Sequence, residues 1–258
     1  MKRNLMLVAV TMLLAATSCT ASGNGANEKT VTSSVKEQLE KAKDERKTVF
    51  MIVTDSATNA SRLDSIVGSV ITEKSNVTAV TMNMDEKANA ELVKEYRLNG
   101  APTPLVLVMS DRGLLMGGML ENQVSRESLE EAIPTPKFSD ISYALSKGTP
   151  VIALVSNSKF ESDAKAENIC KSAKDSMSGK VEVIRIDTED SAESKLITML
   201  NIKGKLKDSY IVAINAQGIM SGRFENVPDV VELVEAAQKI VQTGCAPGGC
   251  GQIGRAHV

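Results

Sequence analysis

The chain has 258 residues, a formal net charge of −2, 42% hydrophobic and 24% charged residues. These proportions suit a globular protein, with length for one large domain or two ordinary ones. Aromatic residues make up only 3%, no basic patch with interleaved aromatics occurs, and nucleic acid is excluded as an expected partner.

Met1-Lys2-Arg3-Asn4 is a short basic region, residues 5–16 are an apolar run, and Ala16-Thr17-Ser18 leads into Cys19. The apolar run is shorter than the ~20 residues that span a bilayer and has the flanks of a signal peptide. This order resembles a bacterial lipoprotein signal, with Ala16 where that family usually has Leu. The resemblance implies a signal peptide over residues 1–18 and Cys19 as the lipidated first residue of the mature chain. It also implies a bacterial cell-envelope location, periplasm-facing or at the outer membrane, with the membrane as a partner through the lipid. An ordinary cleaved signal with Cys19 incidental is the other reading. Residues 19–30, small and polar, are expected to form a flexible tether.

A helix is expected from Ser34, because Ser34 and Glu37 have the spacing of a capping box and Val35, Leu39 and Ala42 share one face. Residues 49–53 are a continuous apolar run, as in a strand buried on both faces. A helix over 61–71, a strand over 77–84 ending at Asp85, and a helix over 88–98 follow. A strand over 104–110, a turn at Asp111-Arg112-Gly113, a strand over 114–120 and a helix over 125–133 complete the unit, which Pro134 and Pro136 close. Met82, Met84, Met109 and Met116 fall in or beside these strands, where Met fills packing gaps rather than ligating metal.

The order then recurs. Helix 139–146, strand 151–155, helix 161–173 with Cys170, strand 181–186 with Asp187 after it, helix 193–200, strands 210–214 and 219–224, and helix 230–241 repeat the first set. Val49 matches Val151, Asp85 matches Asp187, Glu91 matches Glu193 and Gly113 matches Gly218, at offsets of 102 to 105 residues. An offset of that size indicates a domain duplication rather than a short repeat.

Each half resembles a thioredoxin-like domain. The likeness is carried by the helix and strand at residues 34–53, by Asp85 to Leu98, by Gly100-Ala101-Pro102-Thr103, and by the strand-turn-strand ending at Gly117-Gly118. The fold class this implies is α/β: two thioredoxin-like domains in tandem, over 31–136 and 137–244, each a mixed central sheet flanked by helices. In that family the Pro before Thr is cis and faces the active site. The implied counterpart is Pro102, with a cis Ala101–Pro102 bond and a peptide-facing motif of Ala101, Pro102 and Thr103. Pro102 and Pro104 simply starting a strand is the alternative. The second half has no proline at the matching place, Lys205 to Ser209.

Thioredoxin chemistry needs a thiolate at a helix N-terminus. Residues 56–61 and 156–161 contain hydroxyls, Asn, Lys and acids but no cysteine. Cys170, inside a helix, is read as structural. The remaining close pair, Cys245 and Cys250, lies in a tail over 245–258 around a Pro-Gly turn. A loop disulfide, a mobile redox pair and a soft-metal thiolate site all remain open for it. Residues 253–258 resemble the translation of a sequencing adaptor, so no mechanism is built on His257, the one histidine. No phosphate loop, dinucleotide fingerprint or histidine zinc motif occurs, and no cofactor is expected. Asp85 and Asp187 are read as helix caps. The preferred reading is a lipid-anchored, non-catalytic binding or scaffolding module for an envelope protein or peptide. The alternative is a thiol–disulfide oxidoreductase or soft-metal carrier using Cys245 and Cys250.

Overall fold

The computed structural model describes residues 33–241. The expected signal peptide, Cys19, the tether, and the tail with Cys245, Cys250 and His257 lie outside those residues.

The first half begins with α1 (Val35–Asp44), opened by the expected capping box. The Glu37 N–H donates to Ser34 Oγ at 3.3 Å, and the Ser34 N–H donates to the Glu37 carboxylate at 2.7 Å. It continues through β1 (Thr48–Thr54), α2 (Ser61–Glu73), β2 (Val77–Asn83), α3 (Ala90–Glu95), β3 (Leu105–Met109), β4 (Leu115–Leu120) and α4 (Arg126–Ala132). The sheet order is β2-β1-β3-β4, with β1 parallel to β2 and the other pairings antiparallel.

Every residue of β1 and β3 is buried, as expected for strands covered on both faces. Val49, Met51 and Val53 point to one layer, where Val35 and Ala42 of α1 and Leu92 of α3 cover them. Phe50 and Ile52 point to the other, under Leu63 and Val67 of α2 and Leu129 of α4. Met82 and Met109 are core residues, which accounts for them without a metal.

The second half repeats this plan with α5 (Pro136–Ser146), β5 (Val151–Ser156), α6 (Asp163–Ser176), β6 (Glu182–Asp187), α7 (Ser194–Met199), β7 (Tyr210–Ile214), β8 (Met220–Phe224) and α8 (Val230–Gln238). Its order is β6-β5-β7-β8 with the same parallel and antiparallel pairings. Both halves are therefore mixed sheets flanked by helices on both faces, in the order that a tandem of thioredoxin-like domains requires. Cys170 is fully buried beside Ile152 and Leu154, as a small core hydrophobe.

The duplication extends to backbone irregularities. The register slips between Val108 and Met109 in one sheet and between Ala213 and Ile214 in the other. Left-handed residues also recur in pairs: Arg46 with Gly148, Arg97 with Asn201, and Gly113 with Gly218. One sequence match shifts. The short 3-10 turns before α3 and α7 end at Asn89 and Glu193, so buried Glu193 corresponds to buried Asn89 and not to exposed Glu91. The Glu193 carboxylate accepts from the Lys137 N–H at 3.0 Å, a favourable place for negative charge at the N-terminus of α5.

Two helices start or stop differently from the periodicity. Pro136 is the first residue of α5 rather than a stop, because its missing N–H is not needed there. The helix expected over 88–98 is a 3-10 turn followed by α3, ended by left-handed Arg97. No helix among the described residues is long and apolar enough to cross a membrane.

At Gly222 α8 packs tightly against the second sheet. A Cβ there would lie 2.8 Å from the Ala236 Cβ and 2.9 Å from the Phe224 ring. Gly222→Ala is therefore expected to destabilise the fold by about 1–3 kcal/mol, measured by urea denaturation. The same change at Gly117, where nothing lies within 4 Å, should leave the midpoint nearly unmoved.

Candidate functional site

The place where a thioredoxin carries its thiols is the loop between β1 and α2. Thr54, the last residue of β1, is buried, and the chain then turns through Asp55 to Ala60 before α2 begins. No side chain caps α2 at Ala60. Instead Asp55 organises the turn. Its Oδ1 accepts from the Ala57 N–H at 2.9 Å, the Thr58 N–H at 2.8 Å and the Thr58 hydroxyl at 2.8 Å. Aspartate side chains hold this kind of turn by accepting from backbone two and three residues on.

The second carboxylate oxygen reaches across the sheet end. Thr103 Oγ1 donates to Asp55 Oδ2 at 2.5 Å, tying the loop before β3 to the loop after β1. The neighbouring position is braced in a similar way, since the Ser56 N–H donates to Asp85 Oδ2 at 2.9 Å. These bonds hold both acids below the ordinary aspartate range. The Thr103 hydroxyl is the main cause for Asp55, followed by Thr58 and the Ala57 N–H, and together they bring it to about 2. Asp85 is lowered by its hydrogen bonds to Ser56. A carboxylate that is saturated with donors and ionised this far down is a poor proton acceptor at neutral pH.

The expected helix-capping role of Asp85 and Asp187 is corrected here. Asp85 serves the β1–α2 loop, and Asp187 Oδ1 accepts from the Glu189 N–H at 2.9 Å within its own turn. Both leave their strands before the helix begins, so the nearest free N–H groups are those of loops.

The cis peptide bond also differs from the expected one. It lies at Thr103–Pro104, so the motif is not Ala101–Pro102 cis followed by Thr103. Pro104 is buried directly before Leu105, the first residue of β3 and the partner of Val53. Pro102 is exposed, two residues farther from the sheet. The tertiary packing that fixes a prolyl isomer acts at the strand entrance and not out in the loop. Ala101 is held by its N–H to the Leu98 carbonyl at 2.9 Å. The Thr103 N–H and carbonyl make no hydrogen bond within the described residues, and Thr103 is half-buried.

The second half closes the same space by other means. The Ser156 hydroxyl donates to Asp163 Oδ1 at 2.6 Å and lies 2.7 Å from Ser209 Oγ, which is then the donor in that contact. Ser162 Oγ donates to Asp208, and Arg185 pairs with Asp163 at 2.8 Å. Ser209 stands where the first half has Pro104, as Tyr210 and Leu105 are matching partners of Val155 and Val53. The second loop pair is thus tied together by its own side chains, while Asp208, the counterpart of Thr103, is exposed.

Among the described residues the one cysteine is Cys170. Burial pushes its thiol up to about 12, and it lies in a helix interior away from both loops. No group of three His, Cys, Asp or Glu among the described residues could hold a metal ion. The pairing of Asp55 with Thr103 was not read from the sequence, although Asp55 and Thr58 carry the local signature of the turn.

No family model and no curated protein matches the sequence. Solved structures with a similar fold are thioredoxin-domain proteins. The first two thioredoxin domains of Saccharomyces cerevisiae Eps1p are 12% identical, covering 85% of this chain and 100% of that one, with a TM-score of 0.32. A disulphide isomerase from Xylella fastidiosa is 16% identical over 47% of this chain and 99% of its own, with a TM-score of 0.30. Human ERp44 is 10% identical over 76% of this chain and 52% of its own, with a TM-score of 0.36. Likenesses this distant say nothing of activity. The tandem thioredoxin-like fold rests on the strand order and layers described above.

The Asp55 network makes a pH prediction. Its folded value lies below the ordinary ~3.9 of an unfolded aspartate, so its stabilising effect is present above about 4 and is lost as pH falls through about 2. The amide resonances of Ala57 and Thr58 should titrate together with a midpoint of about 2. In Thr103→Val that midpoint should rise toward the ordinary value. An unchanged midpoint would show that Thr103 does not set it.

Proposed function

We propose that the chain is a lipid-anchored protein of the bacterial cell envelope whose thioredoxin-like domains bind or scaffold rather than catalyse. The observation that carries the reading is the Asp55 network. The loop that would present thiols is pinned by a carboxylate to Thr103, with no thiol in it. A nucleophile there would need a lowered thiol pKa at a helix N-terminus, and neither β1–α2 nor β5–α6 has one. The Thr103 backbone, unpaired among the described residues and beside buried Pro104, favours an extended peptide or a segment of an envelope protein as the occupant of the first domain. The anchor is supported by the run from Lys2 and Arg3 to Cys19.

Insulin reduction by the purified chain is expected to show no cysteine-dependent turnover, with Cys245→Ser and Cys250→Ser variants equal to the parent. Turnover abolished by those variants would replace this reading with thiol–disulfide exchange by the tail. Soft-metal carriage by the same pair would show as a Cu(I) titration with a stoichiometric end point lost in the double variant.

Growth of an expressing bacterium with a labelled fatty acid should label the parent chain and not Cys19→Ala. An unlabelled parent would remove the anchor while leaving the binding reading intact.

A further inference from the structure

Strand β6 forms one edge of the second sheet and pairs only with β5. The direction of its backbone groups follows from two bonds. The Glu182 N–H donates to the Pro150 carbonyl at 2.9 Å, and beyond the strand the Thr188 N–H donates to the Ser156 carbonyl at 3.2 Å. Alternate residues of a parallel strand bond to the same neighbour, so Glu182, Ile184 and Ile186 turn their backbone groups toward β5. Val183 and Arg185 turn theirs to the open edge.

A cleft of about 460 Å³ runs beside this edge. Residues 182–185 line it consecutively. Opposite stand Lys137, Asp140 and Tyr143 of α5 and Lys147 just after it, and Arg112 reaches in from the β3–β4 turn of the first half. Four cations on the walls face two acids, and both acids are engaged. Asp140 accepts from Arg112 Nε at 2.9 Å and Nη2 at 2.5 Å, and Glu182 pairs with Lys174 at 3.0 Å. Arg185 is engaged with Asp163. Lys137 and Lys147 have no carboxylate partner among the described residues. The Lys147 ammonium lies 5.3 Å from the Tyr143 ring centre and the Arg112 guanidinium 5.5 Å from it. The walls thus carry the opposite sign to the chain, whose net charge is −2.

We propose that this cleft docks an extended acidic peptide segment as an added strand on β6. The open N–H and carbonyl groups of Val183 and Arg185 would pair with the peptide backbone, and Lys137 and Lys147 would meet its acidic side chains. Side chains of a strand alternate, so acids at every second position fall on the lysine side. A free small anion would use the ammonium groups but has no use for a strand edge presented over consecutive residues. The site is separate from the Thr103 backbone in the first domain, and either can fail without the other.

The test is fluorescence anisotropy of the full mature chain with a labelled octapeptide of alternating Glu and Val, against one of alternating Lys and Val. The acidic peptide is expected to bind and the basic one not. Val183→Pro removes an outward N–H without touching the ladder to β5, and edge strands tolerate proline. Lys137→Glu with Lys147→Glu reverses the free charge. Each variant should weaken binding by about tenfold or more, with circular dichroism reporting the fold. No binding of the acidic peptide, or equal binding of the basic one, would overturn the proposal. Loss with the charge variant but not with Val183→Pro would also overturn it, leaving charge attraction without strand addition. Should Val183→Pro misfold, methylation of the outward amide by a Val183 N-methyl semisynthetic chain reads the same hydrogen bond.

Discussion

Strands β1 and β5 are buried on both faces along their whole length, and the rest of each domain follows from satisfying that burial. A strand with no solvent face needs a helical layer on either side, so α1 and α3 must cover one face of the first sheet and α2 and α4 the other. Each large side chain buried there contributes about 1.5–3 kcal/mol, whereas the partly exposed ion pairs of the surface contribute about 0–1 kcal/mol each. The apolar layers therefore decide the fold. Charges decide only what the loops and clefts can meet.

The constraint also explains why the two halves could diverge where a thioredoxin does its chemistry. The loops after β1 and β5 lie at the end of an already satisfied sheet, so their residues carry little of the core energy. Their residual task is to pair the polar groups exposed at the sheet end. The first half does this with one carboxylate, Asp55, accepting from Ala57, Thr58 and Thr103. The second does it with hydroxyls, Ser156 and Ser209, backed by Asp163.

The meeting of the halves is polar. Arg46 pairs with Asp111 and Asp140, and Arg112 spans from the first half to Asp140 and the Tyr143 ring of α5. Partly exposed pairs of this kind specify a register between domains without contributing much stability. They also place Arg112 of the first half beside Lys137, Lys147 and the β6 edge of the second.

Sequence periodicity was sufficient for the buried strands at 49–53 and 151–155, the Ser34–Glu37 box, the buried role of Cys170 and the duplication near 102 to 105 residues. These signals are short in range: alternation along a strand, a face every three or four residues, a cap three residues from its partner. What they could not carry was any pairing made across the sheet. Thr103 meets Asp55 over a separation of 48 residues only because Leu105 lies opposite Val53 in the β1–β3 register. The same register places Pro104, and not Pro102, at the buried strand entrance. Asp85 turning to Ser56, and four consecutive β6 residues lining a cleft with Lys137 and Lys147, likewise depend on which loops and edges the folded layers bring together. Local hydrophobic order determined the elements and their repetition, while the chemistry at their ends was decided by long-range packing.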